Sequence, residues 1–590
     1  MKKFIAVILL LTALLATSCG STVNSDEDEN VNINFDWESA EPLAFEDLLR
    51  EASEIHKRVN TAPTNFDGFE EYLVEGKEYQ GLLTADEISQ LKTMSSKAKA
   101  TLTHEEAVAD VELYFRTLKY AYGAYFYFGG EERFKQAENE VLDKLNDTTS
   151  IGTEELESYL KSSVSFVKDG HFGFGTSSIE ESDVRYEYYY CDLYFSKDES
   201  GYYTEKDGQK WYFETCKNDE VSIEPTLTSD GLIKYSPVLF RVSYGMETND
   251  TAVLVSGENR VEIPFVWTLS QSLKQNSTSQ DFSFKEQDGV AYIAIRNFDT
   301  SLDQNIYREY EETAKKVKDC KVIIYDVRSN GGGSDGYSRK WVENFTGIQP
   351  VLNRCYGNRV TLLTNDTGQS ISSGEEYFKS GIENGTFVSN DIPVIILVDD
   401  KCGSAGESAL HYARTIENAI VIGSNSSGHQ LCGNVRQYSL PHSGIVFNMP
   451  AVLEFNYNMN NIDGIGHKPD IWCNPKTALD AVSHLLEKQN FTDAETLENL
   501  LKLPPLIEIQ FDEFIIGENA GFGGENFDDD LIIMNNGVAV SDYSVTFDNP
   551  DVAEVTYNED GSVHIKLPTS GEWPFTVTYE GEEYSFILVV

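Results

Sequence analysis

The chain has 590 residues, and 46 Lys and Arg stand against 97 Asp and Glu, a formal charge of −51. So acidic a surface repels phosphate backbones, and no basic cluster offsets it, which argues against a nucleic-acid partner. Apolar residues make up 40% and aromatics 12%, enough for buried cores, and at roughly 150 residues per domain the length predicts about three or four domains.

Met1-Lys2-Lys3, an apolar run from Phe4 to Ala16, and then Thr17-Ser18-Cys19-Gly20 read as a secretory signal peptide, too short for a membrane span. Small residues directly before Cys19 resemble a bacterial lipobox, so residues 1–19 are assigned to the leader and Cys19 to lipidation. An acyl anchor gains ~0.8 kcal/mol per buried methylene, so several chains on one cysteine hold a protein at a membrane without a spanning helix. Residues 20–41, with the run Ser25-Asp26-Glu27-Asp28-Glu29, read as a solvated acidic tether, similar to the export signal of some surface-exposed outer-membrane lipoproteins. The expected location is the outer membrane, facing outward or otherwise the periplasm. Seven cysteines follow, from Cys191 to Cys473, with no CxxC pair or His-Cys cluster to suggest zinc. Their odd number leaves at least one thiol unpaired.

Residues 42–182 read as a helical domain. Thr103-His104-Glu105-Glu106 opens one helix in capping-box fashion, and Val111, Tyr114, Phe115, Leu118 and Tyr122 form its apolar face. Residues 183–280 turn to aromatic and β-branched runs split by turns such as Lys206-Asp207-Gly208, a β-rich module that is either a degenerate PDZ-like domain or something different. Residues 281–490 alternate buried-looking strands (Val290–Ile295, 321–326, 393–398 and 419–423) with helical segments, the signature of βαβ units in a largely parallel sheet. After Pro504-Pro505, residues 503–590 carry short alternating runs that suggest an Ig-like β-sandwich. The fold class expected is therefore α/β and multidomain.

Ligands of open α/β sheets bind at the carboxyl ends of strands, and two loops there stand out. In Asp326-Val327-Arg328-Ser329-Asn330-Gly331-Gly332-Gly333, three glycines let backbone N–H groups face an anion, although a flexible turn is the plainer reading. In Asp399-Asp400-Lys401-Cys402-Gly403-Ser404-Ala405-Gly406-Glu407, a strand end delivers a serine to a helix amino terminus, where the dipole stabilises an oxyanion; an ordinary N-cap is the plainer reading.

Together the loops resemble the tail-specific, or carboxyl-terminal processing, serine peptidase family, which includes the tricorn core. That family has Asp-x-Arg-x-Asn-x-Gly-Gly, matched by Asp326, Arg328, Asn330, Gly332 and Gly333, then Ser-Ala-x-x-Glu, matched by Ser404 and Ala405 with Glu407 one place early. A closing Gly-x-x-Pro-Asp matches Gly466 to Asp470. The resemblance implies a ClpP/crotonase-like core, peptide-bond hydrolysis, a polypeptide substrate and no cofactor. It implies Ser404 as nucleophile and, as oxyanion donors, the N–H of Ala405 and that of one glycine from Gly331 to Gly333, with Gly332 preferred. The lysine base of the bacterial processing branch is missing, since its place reads Ser427-Gly428-His429-Gln430. The tricorn-like branch takes a histidine from an Asp-x-His segment, matched here by Asp169-Gly170-His171, so His171 is the preferred base and His429 its rival. That branch has an acidic residue shortly before the closing proline that orients the histidine or supports the site, and Asp463 is the nearest candidate here. The alternatives are a non-catalytic peptide- or ligand-binding surface lipoprotein on the same scaffold and, further off, a glycan-handling protein, for which no paired carboxylates stand out.

Overall fold

In the computed structural model the described residues are 40–589, apart from 64–67, 73–80, 94–98, 176, 179–185, 218–220, 243–247, 274–280, 300–303, 366–376, 457, 494–495, 498–499, 501–506, 512–513, 517–518, 522–526, 536–537, 550–552, 559–560, 568–571 and 580. Cys19, the leader and the acidic tether through residue 39 lie outside them, as does the Pro504-Pro505 linker. Among the described residues, no helix is long and apolar enough to cross a membrane.

The centre is a ten-stranded sheet in the order Thr268–Leu269, Tyr186–Tyr190, Ile233–Val242, Val221–Leu227, Ile471–Trp472, Ala419–Gly423, Val394–Val398, Val322–Asp326, Val290–Ile295 and Phe282–Gln287. Its inner strands Val290–Ile295, Val322–Asp326, Val394–Val398 and Ala419–Gly423 are parallel neighbours and buried at every position. That is why they are continuous apolar runs: helices cover both faces. On one face Tyr307, Tyr310, Trp341, Phe345, Leu410 and Tyr412 pack on Ile293, Ile323, Ile396 and Val421. On the other, Phe45, Leu49, Val482 and Leu485 pack on Ile324, Ile395 and Ile420.

Two boundaries expected from the sequence move. The region 183–280 is not a separate module, because Tyr186–Tyr190, Val221–Leu227 and Ile233–Val242 extend the central sheet. Only Ser196–Asp198, Gly201–Lys206, Gln209–Thr215, Asn249–Ser256 and Asn259–Val266 form their own antiparallel sheet. Helix Phe45–Thr61 likewise belongs to the central layer, since its apolar stripe has nowhere else to be buried.

The remaining described N-terminal α-helices, Ala85–Lys92, His104–Ala121, Gly130–Leu145 and Thr153–Ser163, share a core with a second sheet built on Arg354–Val360, Cys432–Ser439 and Val446–Asn456. His104–Ala121 starts in a capping box: Glu106 N–H donates to Thr103 Oγ1 at 3.3 Å and Thr103 N–H to Glu106 Oε2 at 3.1 Å. The described residues between 507 and 589 form two sheets that enclose Leu531, Ile533, Val563 and Ile565 against Phe547, Phe575, Val577 and Leu588, a sandwich with its own core. All seven cysteines from Cys191 to Cys473 are buried free thiols.

Candidate active site

Strands Val322–Asp326 and Val394–Val398 are adjacent and parallel, with Asp326 opposite Leu397, so the two loops noted in the sequence leave the same edge of the sheet side by side. Asp399, fully buried, ties them together. Its Oδ1 accepts Ser329 N–H at 2.7 Å and its Oδ2 accepts Leu273 N–H at 3.1 Å. Below it, Asp326 accepts two bonds from Arg328, at 2.9 Å (Nε) and 2.6 Å (Nη2), and two from Arg296, at 2.8 Å (Nη1) and 2.6 Å (Nη2). Arg328 also donates to Pro475 O at 2.6 Å, so it braces the loop.

Ser404 is the N-cap of helix Ala405–Ala413 and sits at φ 52°, ψ −119°. For a residue with a Cβ such backbone costs ~1–3 kcal/mol and persists only where neighbours enforce it. A strained serine on a sharp strand-to-helix turn is how a nucleophile is exposed at the top of a sheet. The enforcement comes from Glu407 and from the glycine loop. Glu407 is fully buried; its Oε2 accepts Ser404 N–H at 3.2 Å and His429 N–H at 2.8 Å, and its Oε1 accepts Ser426 Oγ–H at 2.5 Å and Gly428 N–H at 2.9 Å. Burial outweighs these bonds and raises its carboxyl above the usual range. The sequence singled out Glu407 only for its spacing, although Ser-x-x-Glu is also the capping-box pattern that would have found it.

Gly332 lies directly on this turn: a Cβ there would stand 2.8 Å from Ser404 Cβ and 3.2 Å from Ala405 N. Its own N–H, however, donates to Asn330 Oδ1 at 3.1 Å. Gly332 is therefore corrected as the oxyanion donor, because its N–H is already engaged in a hydrogen bond to Asn330. Gly333, not Gly332, lines a cavity of about 300 Å3 together with Ser404, Ala405 and His429.

The structure brings both candidate histidines together. Their rings meet edge to face at 5.9 Å. His429 is wedged between two glycines: a Cβ on Gly403 would approach its Nδ1 to 3.1 Å, and one on Gly170 its Cδ2 to 1.9 Å. Ser427 Oγ is 2.8 Å from His429 Nδ1. His171 lies beside it, its backbone N–H donating to Asp169 Oδ1 at 2.9 Å, while the Tyr122 hydroxyl donates to Asp169 Oδ2 at 2.7 Å. Burial, then the charge of His429, lowers His171 to about 4, and its Nδ1 is buried without a partner.

Asp463 does not orient an imidazole here. Its Oδ1 accepts the N–H groups of Gln430 (2.8 Å) and Leu431 (2.7 Å), and its Oδ2 is buried without a partner. Its carboxyl is raised well above the usual range by burial and by nearby Asp169, and what it holds is the segment after His429. His411 is partly buried against His467, with Nε2 atoms 2.6 Å apart, and His467 reaches Gln430 Oε1 at 2.8 Å. Among the described residues no group of three His, Cys, Asp or Glu side chains is placed to hold a metal.

Residues 289–473, which span both loops, match the model of peptidase family S41. Among solved structures, mature CPAF is similar at 13% identity over 70% of this chain and 99% of its own, with a TM-score of 0.36. The photosystem II D1 C-terminal processing protease is similar at 11% identity over 63% and 93%, TM-score 0.32, and the tricorn protease at 14% over 68% and 37%, TM-score 0.29. No curated protein matches.

Proposed function

We propose that this chain, whose residues 289–473 match the model of peptidase family S41, is a lipid-anchored, extracytoplasmic serine endopeptidase with Ser404 as its nucleophile. The strained turn of Ser404, with Gly332 pressed on it and Ala405 N–H beginning a helix, is the observation that carries this reading. Ser404 Oγ attacks the peptide carbonyl carbon while an imidazole takes its proton. The amides of Ala405 and Gly333 hold the tetrahedral oxyanion. Collapse breaks the C–N bond, the imidazolium returns the proton to the leaving amine, and water then releases the acyl group from Ser404 by the reverse sequence.

His171 is the base in this reading, on the strength of its Asp-x-His segment and of the burial that keeps it neutral, the state a base requires. A second reading gives the role to His429, because His429 and not His171 lines the cavity with Ser404. Cys19 supplies the anchor, and the acidic tether favours the outer face of the outer membrane.

The test is a fluorophosphonate probe on the soluble protein lacking residues 1–19, comparing Ser404→Ala, His171→Ala and His429→Ala. Labelling is expected to vanish with Ser404→Ala and His171→Ala and to survive His429→Ala; survival of His171→Ala with loss at His429→Ala transfers the base. With His171 as base, kcat/KM falls as pH drops through about 4, where the imidazole gains its proton. Labelling that persists in Ser404→Ala overturns the reading.

A further inference from the structure

The cavity onto which Ser404 opens is polar, with Asp335, Arg354, Tyr356, Asn358 and Glu454 in its walls. Its charges do not balance. Arg354 donates from Nε to Glu383 Oε2 at 2.8 Å and from Nη1 to Glu454 Oε2 at 2.8 Å, so one guanidinium is shared by two carboxylates. Asp335 is left over, accepting only the Tyr412 hydroxyl at 3.2 Å on its side chain among the described residues. The cations on this helix, Arg339 and Lys340, are exposed and are not part of the cavity wall. Burial pushes the Glu454 carboxyl up against the pull of Arg354, and Asp335 and Glu383 push the same way, so the carboxylates sense one another.

Position adds to charge. Asp335 follows Gly333 by two residues and stands at the N-cap position of helix Gly336–Thr346 without a capping bond from its side chain, which places it next to the glycine loop over Ser404. Glu454 sits on strand Val446–Asn456, paired with Tyr356 of Arg354–Val360, so it is held by a sheet rather than a loop. An apolar substrate side chain entering here would strip water from Asp335 and Glu454 without replacing it, and an acidic one would meet like charge. A cationic one would satisfy both.

We propose that this cavity receives a lysine or arginine side chain next to the peptide bond that Ser404 cuts, with Asp335 as its main counter-charge. The inference rests on the peptidase reading of Ser404. It is tested with quenched peptides that differ only in Lys, Arg, Leu or Glu beside the scissile bond, with cleavage sites in an unfolded protein mapped by mass spectrometry. Lys and Arg are expected to exceed Leu in kcat/KM by roughly tenfold or more, and Asp335→Asn to cut that ratio by about tenfold. Asp335→Lys is expected to turn the preference toward Glu. Fluorophosphonate labelling of each variant reports that the site is still assembled. Labelled protein that prefers Leu or Glu, or an unchanged ratio in labelled Asp335→Asn, overturns this inference alone; native protein that neither labels nor cleaves overturns the peptidase reading with it.

Discussion

Ser404 holds a backbone conformation that most side chains avoid, and the residues around it are small or anionic where the geometry requires. Glu407 gathers Ser404, Ser426, Gly428 and His429 onto one carboxylate, which couples the serine turn to the loop carrying the second histidine. Gly332, at φ 118°, leaves open the space over the Ala405 amide. Gly332→Ala would put a methyl 3.2 Å from that nitrogen and 2.8 Å from Ser404 Cβ. The expected result is a fall of about 100-fold in kcat/KM, the scale of losing an oxyanion donor. Probe labelling should slow in parallel, and the fall in activity should exceed what the shift in Tm explains. A variant with native labelling rate would show that this space plays no part.

At the scale of the element, strand Val322–Asp326 shows how a buried parallel strand ends in chemistry. Four apolar positions anchor it, and its last residue is a carboxylate with no exposure, met by two guanidinium groups. Burial by itself would raise the Asp326 carboxyl, but Arg296 and Arg328 hold it far below the ordinary aspartate range. Replacing such a pair by apolar residues can be harmless, whereas removing one partner strands the other charges. Asp326→Asn is therefore expected to destabilise the core by about 3–5 kcal/mol, read as a lower urea midpoint. Because the folded-state value is depressed, the contribution of Asp326 is complete above the unfolded aspartate pKa of ~3.9 and is lost as pH falls below it. The gap between wild type and variant should accordingly narrow below about pH 4, and a gap independent of pH would refute the ion-pair account.

For the whole molecule, the proposed anchor and the folded body are separate matters, since the body carries no spanning helix among its described residues. Cys19→Ser is expected to move the protein from the membrane to the soluble fraction and to abolish metabolic labelling with palmitate, with probe labelling of Ser404 retained. Membrane retention of that variant would remove Cys19 as the anchor. Much of the architecture was legible in the chain: inner strands such as 393–398 are unbroken apolar runs because both faces are covered, and the glycine and serine loops announce themselves by composition at strand ends. The edges were not. Strands such as Tyr186–Tyr190 and Ile233–Val242 are aromatic and β-branched runs, and such composition reports that a strand forms, never which strand lies alongside. The same limit held at the site. His171 and His429 are 258 positions apart and were weighed as rivals, whereas folding sets their rings 5.9 Å from one another. Gly332 and Asp463 are the right residue types, yet the partners they find are Asn330 and the backbone of 430–431. The sequence by itself determined the apolar strands, the two loops at their ends and the motifs that resemble the serine peptidase family, because those depend on residue type and local spacing. Only the tertiary structure decided which amide stays open, which imidazole shares the cavity with Ser404 and what charge lines it, because a hydrogen bond or a counter-charge depends on distance in space, and side chains remote in the chain compete for it.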